Sequence, residues 1–252
     1  MTGPRLLGMA ANVDTRLARA LGLDSSPLVD CGADGLLLPE AGRALQRLRE
    51  RANRAGFNLC VASGYRSYQR QLSIFNAKAV GERAIVDEAG RILRPANLSA
   101  KALLAAILRF SALPGVSRHH WGTDVDVWDS AAVNADYQLA LTTDEYADGG
   151  VFSAMSQWLD ERIAADDAEG FFRPYASDSG GVAPEPWHLS YRPGAQGLAT
   201  LQSLENLLPL WRADAQAAEW GITAPLALLE TLEQEAEGIL ARYKVIDELL
   251  DP

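Results

Sequence analysis

Residues 114–129 read Pro114-Gly-Val-Ser117-Arg118-His119-His120-Trp121-Gly122-Thr123-Asp124-Val-Asp126-Val127-Trp128-Asp. The first half, punctuated by Pro114, Gly115, Ser117 and Gly122, reads as a loop. From Thr123 to Val127 polar and apolar residues alternate, which predicts a strand. Side chains on a strand repeat every second residue, so Asp124 and Asp126 would share one face. His119 and His120 are two of only three histidines in the chain. The third, His188, ends the segment Glu185-Pro186-Trp187-His188. Both segments pair histidine with an acid. A neutral imidazole nitrogen suits a borderline cation such as zinc, so the two segments together predict a metal site. On spacing alone either His119 or His120 can face the metal.

Outward from this stretch, residues 1–34 are a mixed lead-in with one short helical stretch and a Gly/Asp-rich turn at CGADG. Pro39-Glu40 opens an amphipathic helix in which Ala44, Leu45, Leu48 and Ala52 recur at helical spacing, and Ala55-Gly56 stops it. FNLCVA (57–62) is a short apolar run between turn signals, hence a strand. Helices are predicted near 66–80, 99–111 and 151–165, and two strands joined by SDSGG between Phe171 and Tyr191. Two Leu/Ala/Glu-rich helices follow, near 198–218 and 225–250, with Pro225 opening the second. The order predicts an α+β fold: a small, largely antiparallel sheet flanked by helices, with a C-terminal helical appendage. The expected divisions are a lead-in 1–34, a catalytic domain 35–195 and the appendage 196–252.

The chain has 252 residues, about half of them apolar, enough to bury a core without metal or disulfide staples. Its net charge of −10 argues against nucleic acid or an anionic membrane as the main partner. Cys31 and Cys60 are 29 residues apart and form no C-x-x-C pair, so cysteine ligation of zinc is not expected. No stretch approaches the ~20 apolar residues of a membrane-spanning helix. Polar residues break the N-terminal apolar run at Asn12, Asp14, Arg16 and Arg19. The sequence as it stands reads as cytoplasmic; a chain trimmed of an export signal would read the same, and would be periplasmic.

Ser117-x-His119, then Gly122 and Asp126, followed much later by Glu185-x-Trp187-His188, resembles the D-alanyl-D-alanine carboxypeptidases and dipeptidases of bacterial cell-wall metabolism. These VanY-like zinc peptidases belong to a wider group with the lysostaphin-type peptidases and the hedgehog domain. Ser63-Gly64-Tyr65-Arg66-Ser67 resembles the family segment that carries a functional arginine. The similarity spans roughly residues 35–192. The resemblance implies one Zn²⁺ per chain, held by His119, Asp126 and His188, and it selects His119 over His120. A catalytic zinc takes about three protein ligands and leaves a position open for water. It lowers the pKa of that water to about 7 and polarises the scissile carbonyl. A carboxylate must then carry the proton to the leaving amine, and Glu185 is its counterpart here. Residues i and i+3 on a regular strand face opposite ways, so the chain must start, kink or bulge between Glu185 and His188. Pro186 supplies a cause.

By the same resemblance Arg66 would grip the scissile carbonyl or the terminal carboxylate of the peptide. Ser117, Gln71 and Tyr65 would contact substrate, and Gln69 lies one turn along the same helix. Asp124 departs from the best-known relatives, which carry a small residue there. It would orient a ligand histidine from behind the metal or pair with an arginine. Trp187, with Trp121 and Trp128, would pack around the site. The implied substrate is a peptidoglycan-derived peptide ending in D-alanine or the free D-Ala-D-Ala dipeptide. Carboxypeptidase action is the first expectation. Dipeptidase or wall endopeptidase action, or a non-catalytic binding module, are the alternatives.

Overall fold

The structure, a computed structural model, describes residues 14–88 and 90–244. It begins with helix α1 (Thr15–Ala20), capped by the Asp14 carboxylate, and a small hairpin of β1 (Val29–Asp30) and β2 (Leu36–Leu37). Helix α2 (Pro39–Arg54) starts with Pro39 in its first turn, where the missing N–H costs nothing. It buries Ala41, Ala44, Leu45, Leu48 and Ala52, one stripe at helical spacing. Strand β3 (Leu59–Ser63) follows, then α3 (Tyr68–Ala79), whose N-cap Ser67 accepts from the Arg70 N–H at 3.2 Å. A second hairpin, β4 (Ile85–Val86) and β5 (Ile92–Leu93), leads to α4 (Ala100–Arg109), capped by Ser99. After it come β6 (Asp124–Asp129), α5 (Thr143–Tyr146), α6 (Ser153–Ala164), β7 (Phe171–Phe172), β8 (His188–Tyr191) and α7 (Arg192–Ala195). The chain ends in α8 (Leu204–Arg212), α9 (Ala215–Ala218) and α10 (Leu229–Tyr243).

The main sheet has the order β3-β6-β8-β7, and every pair is antiparallel. This is the α+β fold with a small antiparallel sheet that the sequence predicts. Alternation along β6 divides the sheet into two sides. Val125 and Val127 enter a core with Leu45, Leu48, Leu59, Met155, Leu159 and Leu189. Each such fully buried side chain contributes about 1.5–3 kcal/mol. Asp124 and Asp126 face the other side. The register sets Asp126 opposite His188 and Asp124 opposite Ser190, so β8 alternates in phase with β6.

A second core lies beyond that polar side. Tyr68, Leu72 and Phe75 of α3, Leu104, Ile107 and Leu108 of α4, Leu207 and Trp211 of α8, and Leu232 and Leu240 of α10 are packed together. The C-terminal helices therefore extend the core around α3 and α4.

The two tail helices differ from their predicted extents. The stretch 198–218 is broken: Ser203 caps a new helix by accepting from the Asn206 N–H, and Ala213 ends it in the left-handed region at φ 52°. Helix α9 follows from Ala215, and the second tail helix, α10, starts at Leu229 and not at Pro225, because Leu228 sits at φ 61° and cannot propagate a right-handed turn. Of the predicted run to residue 250, the part from 245 lies outside the described residues, as does the lead-in 1–13. The strands between Phe171 and Tyr191 are only β7 and β8. Pro174, Pro184 and Pro186 remove ladder donors from the segment between them.

Candidate metal centre

His119 sits on a single 3-10 turn, Arg118–Trp121, between Ser117 and Gly122. Gly122 ends that turn at φ 68°, and a Cβ there would lie 2.4 Å from Leu28 Cδ2. Only glycine both adopts this backbone and clears Leu28. Asp126 is central in β6, and His188 is the first residue of β8, directly opposite it. Glu185 reaches the same side because residues 185–188 form a turn, the His188 N–H donating to the Glu185 carbonyl at 3.1 Å. Pro186 occupies the second position of that turn, which suits its fixed φ. The strand thus begins at His188, one of the arrangements that the i, i+3 spacing required.

Donor atoms of His119, Asp126 and His188 all lie within 4.8 Å of one another, and all three residues are buried. His119 Nε2 is 3.4 Å from Asp126 Oδ2, and His188 Nδ1 is 3.3 Å from Asp126 Oδ1. Glu185 Oε2 stands 3.2 Å from His188 Nδ1. Among the described residues, His119 Nδ1, His188 Nδ1 and Asp126 Oδ1 are buried with no hydrogen-bond partner. Leaving such atoms bare is costly, and a cation bound between Asp126 and His188 would satisfy both. Two imidazoles and a carboxylate suit zinc. Burial pushes the Asp126 pKa up, but His119 and His188 more than reverse this, and the carboxylate stays well below its ordinary range.

Asp124 stands behind His188. It accepts from His188 Nε2 at 2.9 Å, from Arg118 Nε at 3.0 Å and from Thr123 Oγ1 at 2.6 Å. Burial raises its pKa, while the Arg118 charge and the His188 hydrogen bond outweigh that and hold it at about 2. An ionised carboxylate only accepts, so Nε2 carries a proton and Nδ1 is the atom left for a cation. Burial lowers the His188 pKa, but hydrogen bonds to Asp124, Asp126 and Glu185 outweigh it and raise the pKa well above the ordinary value, so a cation at Nδ1 would take the place of a proton. Asp124 thus lies both behind His188 and beside Arg118. Arg118 also donates to Ser190 Oγ at 2.7 Å and lies over the Trp121 ring.

His120 turns away. Its Nε2 accepts from the Gly115 N–H at 3.0 Å and its Nδ1 lies 2.6 Å from the Arg66 carbonyl, which only a protonated Nδ1 can satisfy. Burial lowers its pKa to about 3, so the ring is neutral.

A cleft of about 610 Å³ opens over the cluster, lined by Arg66, Ser117, His119, Asp126, Glu185, Trp187 and His188 among others. The Arg66 guanidinium donates to Gln71 Oε1 at 2.9 Å and to Ser63 Oγ at 3.3 Å. Gln71 is not on the cleft wall. It is fully buried, and its amide nitrogen donates to the Ala112 carbonyl at 2.6 Å. Its amide therefore holds Arg66 in place. Tyr65 also lies away from the cleft, packed beside Leu28, Leu38 and Ala41. Gln69 donates to the Gly221 carbonyl at 2.7 Å, in the C-terminal region. Trp187 packs on Tyr146 at 5.6 Å between ring centroids.

Sequence reasoning missed Tyr175, whose ring meets His188 edge-on at 5.0 Å and whose carbonyl accepts from the Glu185 N–H at 3.0 Å. It also missed Arg118, although that residue lies inside the decisive motif. The far cleft wall, Val86–Glu88 and Ala140–Asp144, carries no motif that would have drawn attention.

The VanY family, described as D-alanyl-D-alanine carboxypeptidase, matches residues 35–194. An uncharacterized protein of Haemophilus influenzae is 37% identical over 103 residues, 40% of this chain and 77% of that protein. A D-alanyl-D-alanine carboxypeptidase of Enterococcus faecalis is 31% identical over 150 residues, 58% of this chain but only 45% of that protein. A crystal structure of a variant of the vancomycin-resistance D,D-pentapeptidase VanY with Zn(II) is 24% identical, with a TM-score of 0.45. That likeness covers 70% of this chain and 89% of the other. The family match begins just before α2, ends within α7, and encloses Arg66, Ser117, His119, Asp126, Glu185 and His188. The chain belongs to the VanY D-alanyl-D-alanine carboxypeptidase family.

Proposed function

We propose that this chain is a D,D-carboxypeptidase that removes the terminal D-amino acid from peptidoglycan-derived peptides. The observation that carries the reading is the convergence of His119, Asp126 and His188 within 4.8 Å, with Glu185 beside them at the floor of the cleft. His119, Asp126 and His188 would hold zinc. When bound, zinc supplies a Lewis acid that polarises a peptide carbonyl and activates water near neutral pH. Glu185 takes the proton from the attacking water and returns it to the leaving amine. Its partial exposure and its place on the cleft wall leave its carboxylate reachable by both. Arg66, held by Gln71 and Ser63, presents its remaining N–H groups to the developing oxyanion or to the terminal carboxylate. Ser117 lines the same wall and is placed to contact the peptide. Asp124 fixes the tautomer of His188.

The cleft of about 610 Å³ has room for a peptide tail. We also propose residues 35–195 as the peptidase unit, with the helices beyond 196 as an extension bound into its core. Among the described residues no helix is long and apolar enough to cross a membrane.

Zinc content and D-alanine release from a pentapeptide, a tetrapeptide and D-Ala-D-Ala test the reading. Release from the pentapeptide, lost in Glu185→Ala with zinc retained, is the expected result. A zinc-loaded protein inert on all three peptides would overturn it. Activity on the dipeptide alone would replace carboxypeptidase by dipeptidase.

A further inference from the structure

Residues 176–184, Ala-Ser-Asp178-Ser-Gly180-Gly181-Val182-Ala183-Pro184, form a loop just before Glu185. Its neck is closed where the Glu185 N–H donates to the Tyr175 carbonyl at 3.0 Å. Ala176 to Gly180 are exposed, and only Gly181, Val182 and Ala183 are buried. A Ser/Gly-rich segment with so little apolar contact is held chiefly by its polar anchors.

Two arginines supply those anchors. Arg109, at the end of α4, donates to both carboxylate oxygens of Asp178 and to the Gly181 carbonyl at 2.9 Å. Its Nε reaches Glu88 at 3.0 Å on the turn of the β4–β5 hairpin, and its own carbonyl accepts from the Ala183 N–H at 2.9 Å. The second is Arg242 of α10, whose Nε donates to the Gly180 carbonyl. At Gly181 the loop lies directly on the end of α10, where a Cβ would stand 2.1 Å from the Arg242 carbonyl oxygen. Helix α10 is in turn fixed by Leu232 and Leu240 in the helical core. Arg242 lies beyond residues 35–194, so this anchor comes from outside the family match.

We infer that α10 is a positioning element for Glu185: Arg242, and the backbone contact at Gly181, seat the loop that delivers the Glu185 carboxylate beside His188. The inference rests on Glu185 being the acid/base. Arg242 touches neither substrate nor metal and acts only through the loop. The same loop places Val182 on the cleft wall.

The test uses the full, zinc-loaded chain and a pentapeptide ending in D-Ala-D-Ala. Arg242→Ala should lower kcat about tenfold, because a displacement of about 1 Å can cost up to a hundredfold. Zinc content and thermal midpoint should stay at the wild-type level, with KM changed by less than about twofold. Arg242→Lys should recover most of the loss, since an ammonium can still donate to the Gly180 carbonyl. In a Glu185→Ala background, Arg242→Ala should cost nothing further. Gly181→Ala should reproduce the Arg242→Ala effect by lifting the loop. Hydrogen exchange of the Ala183 and Glu185 amides should speed up in both variants.

An Arg242→Ala kcat within about twofold of wild type, or an equal loss in the Glu185→Ala background, overturns the inference. If the wild type releases no D-alanine, the peptidase reading fails by itself. Amide exchange then decides the seating alone, and unchanged exchange in Arg242→Ala refutes it.

Discussion

Asp124 Oδ1 and His188 Nε2 meet at 2.9 Å across adjacent strands, and this bond decides which nitrogen His188 turns toward Asp126 and Glu185. Asp124→Ala removes the carboxylate from both His188 and Arg118, a buried pair at 3.0 Å. Zinc affinity should fall about 10- to 100-fold by chelator competition. Stability should fall by about 3 kcal/mol or more in urea, since one partner of a buried ion pair has gone. Unchanged zinc affinity would show that the His188 tautomer is set elsewhere.

Glu185→Gln keeps the shape of the side chain and removes the base. A drop in kcat of about 10² to 10⁴ with zinc still bound is expected from steady-state assays and metal analysis. Zinc loss in this variant would instead mark Glu185 as a ligand.

Removing the metal should abolish activity and leave the fold. Both cores are built from apolar side chains, and Val125, Val127 and Leu189 face away from the cluster across the sheet, so the chelated protein should keep its far-ultraviolet dichroism. Added zinc should raise the unfolding free energy by about 2.7 kcal/mol at a hundred times its Kd. A chelated protein that unfolds would assign the metal a structural role.

Lys78 supplies a pH signature of its own, although Arg66 and Glu185 are among the charges that act on it. Burial, then the charges of Arg83 and Arg66, lower its pKa to about 8. Its unfolded value is near 10.5, so between pH 8 and 10.5 the unfolded chain binds more protons. The Lys78 contribution to stability therefore rises with pH across that window, and its cost is fully present below pH 8. Lys78→Met should be more stable than wild type at pH 7, with the two urea midpoints converging as pH rises to 10.5. A constant gap would mean that Lys78 does not titrate there.

Gly122→Ala should destabilise by about 1–3 kcal/mol through its left-handed backbone alone, and more through the clash with Leu28. Because the turn carries His119, zinc affinity should fall with it. A wild-type denaturation midpoint would refute this account of Gly122.

What the sequence made legible was the part whose physics is local. The alternation at Thr123–Val127 showed that Asp124 and Asp126 share a face, and the scarcity of histidine pointed to the two segments that converge. Contacts made across the chain were not legible. Gln71 reads as a substrate contact until the carbonyl of Ala112, 41 positions away, is seen to accept its amide. Tyr65 sits beside Arg66, yet adjacent residues in extended backbone point apart. The two-residue strands of the β4–β5 hairpin are too short to show a period. The break near Ser203 was hidden because the apolar spacing runs on through it, while the backbone reversal at Ala213 leaves no mark in composition.

The alternation of β6 has a consequence for folding fidelity. A slip of one residue in the pairing of β6 with β8 would carry Asp126 to the apolar side and bring Val125 or Val127 toward His188. Such a chain could still collapse, but it could not gather its three donors around an ion. Zinc uptake would therefore serve as an assay of strand register: a refolded population that binds one equivalent has its sheet correctly threaded, whatever its helices are doing.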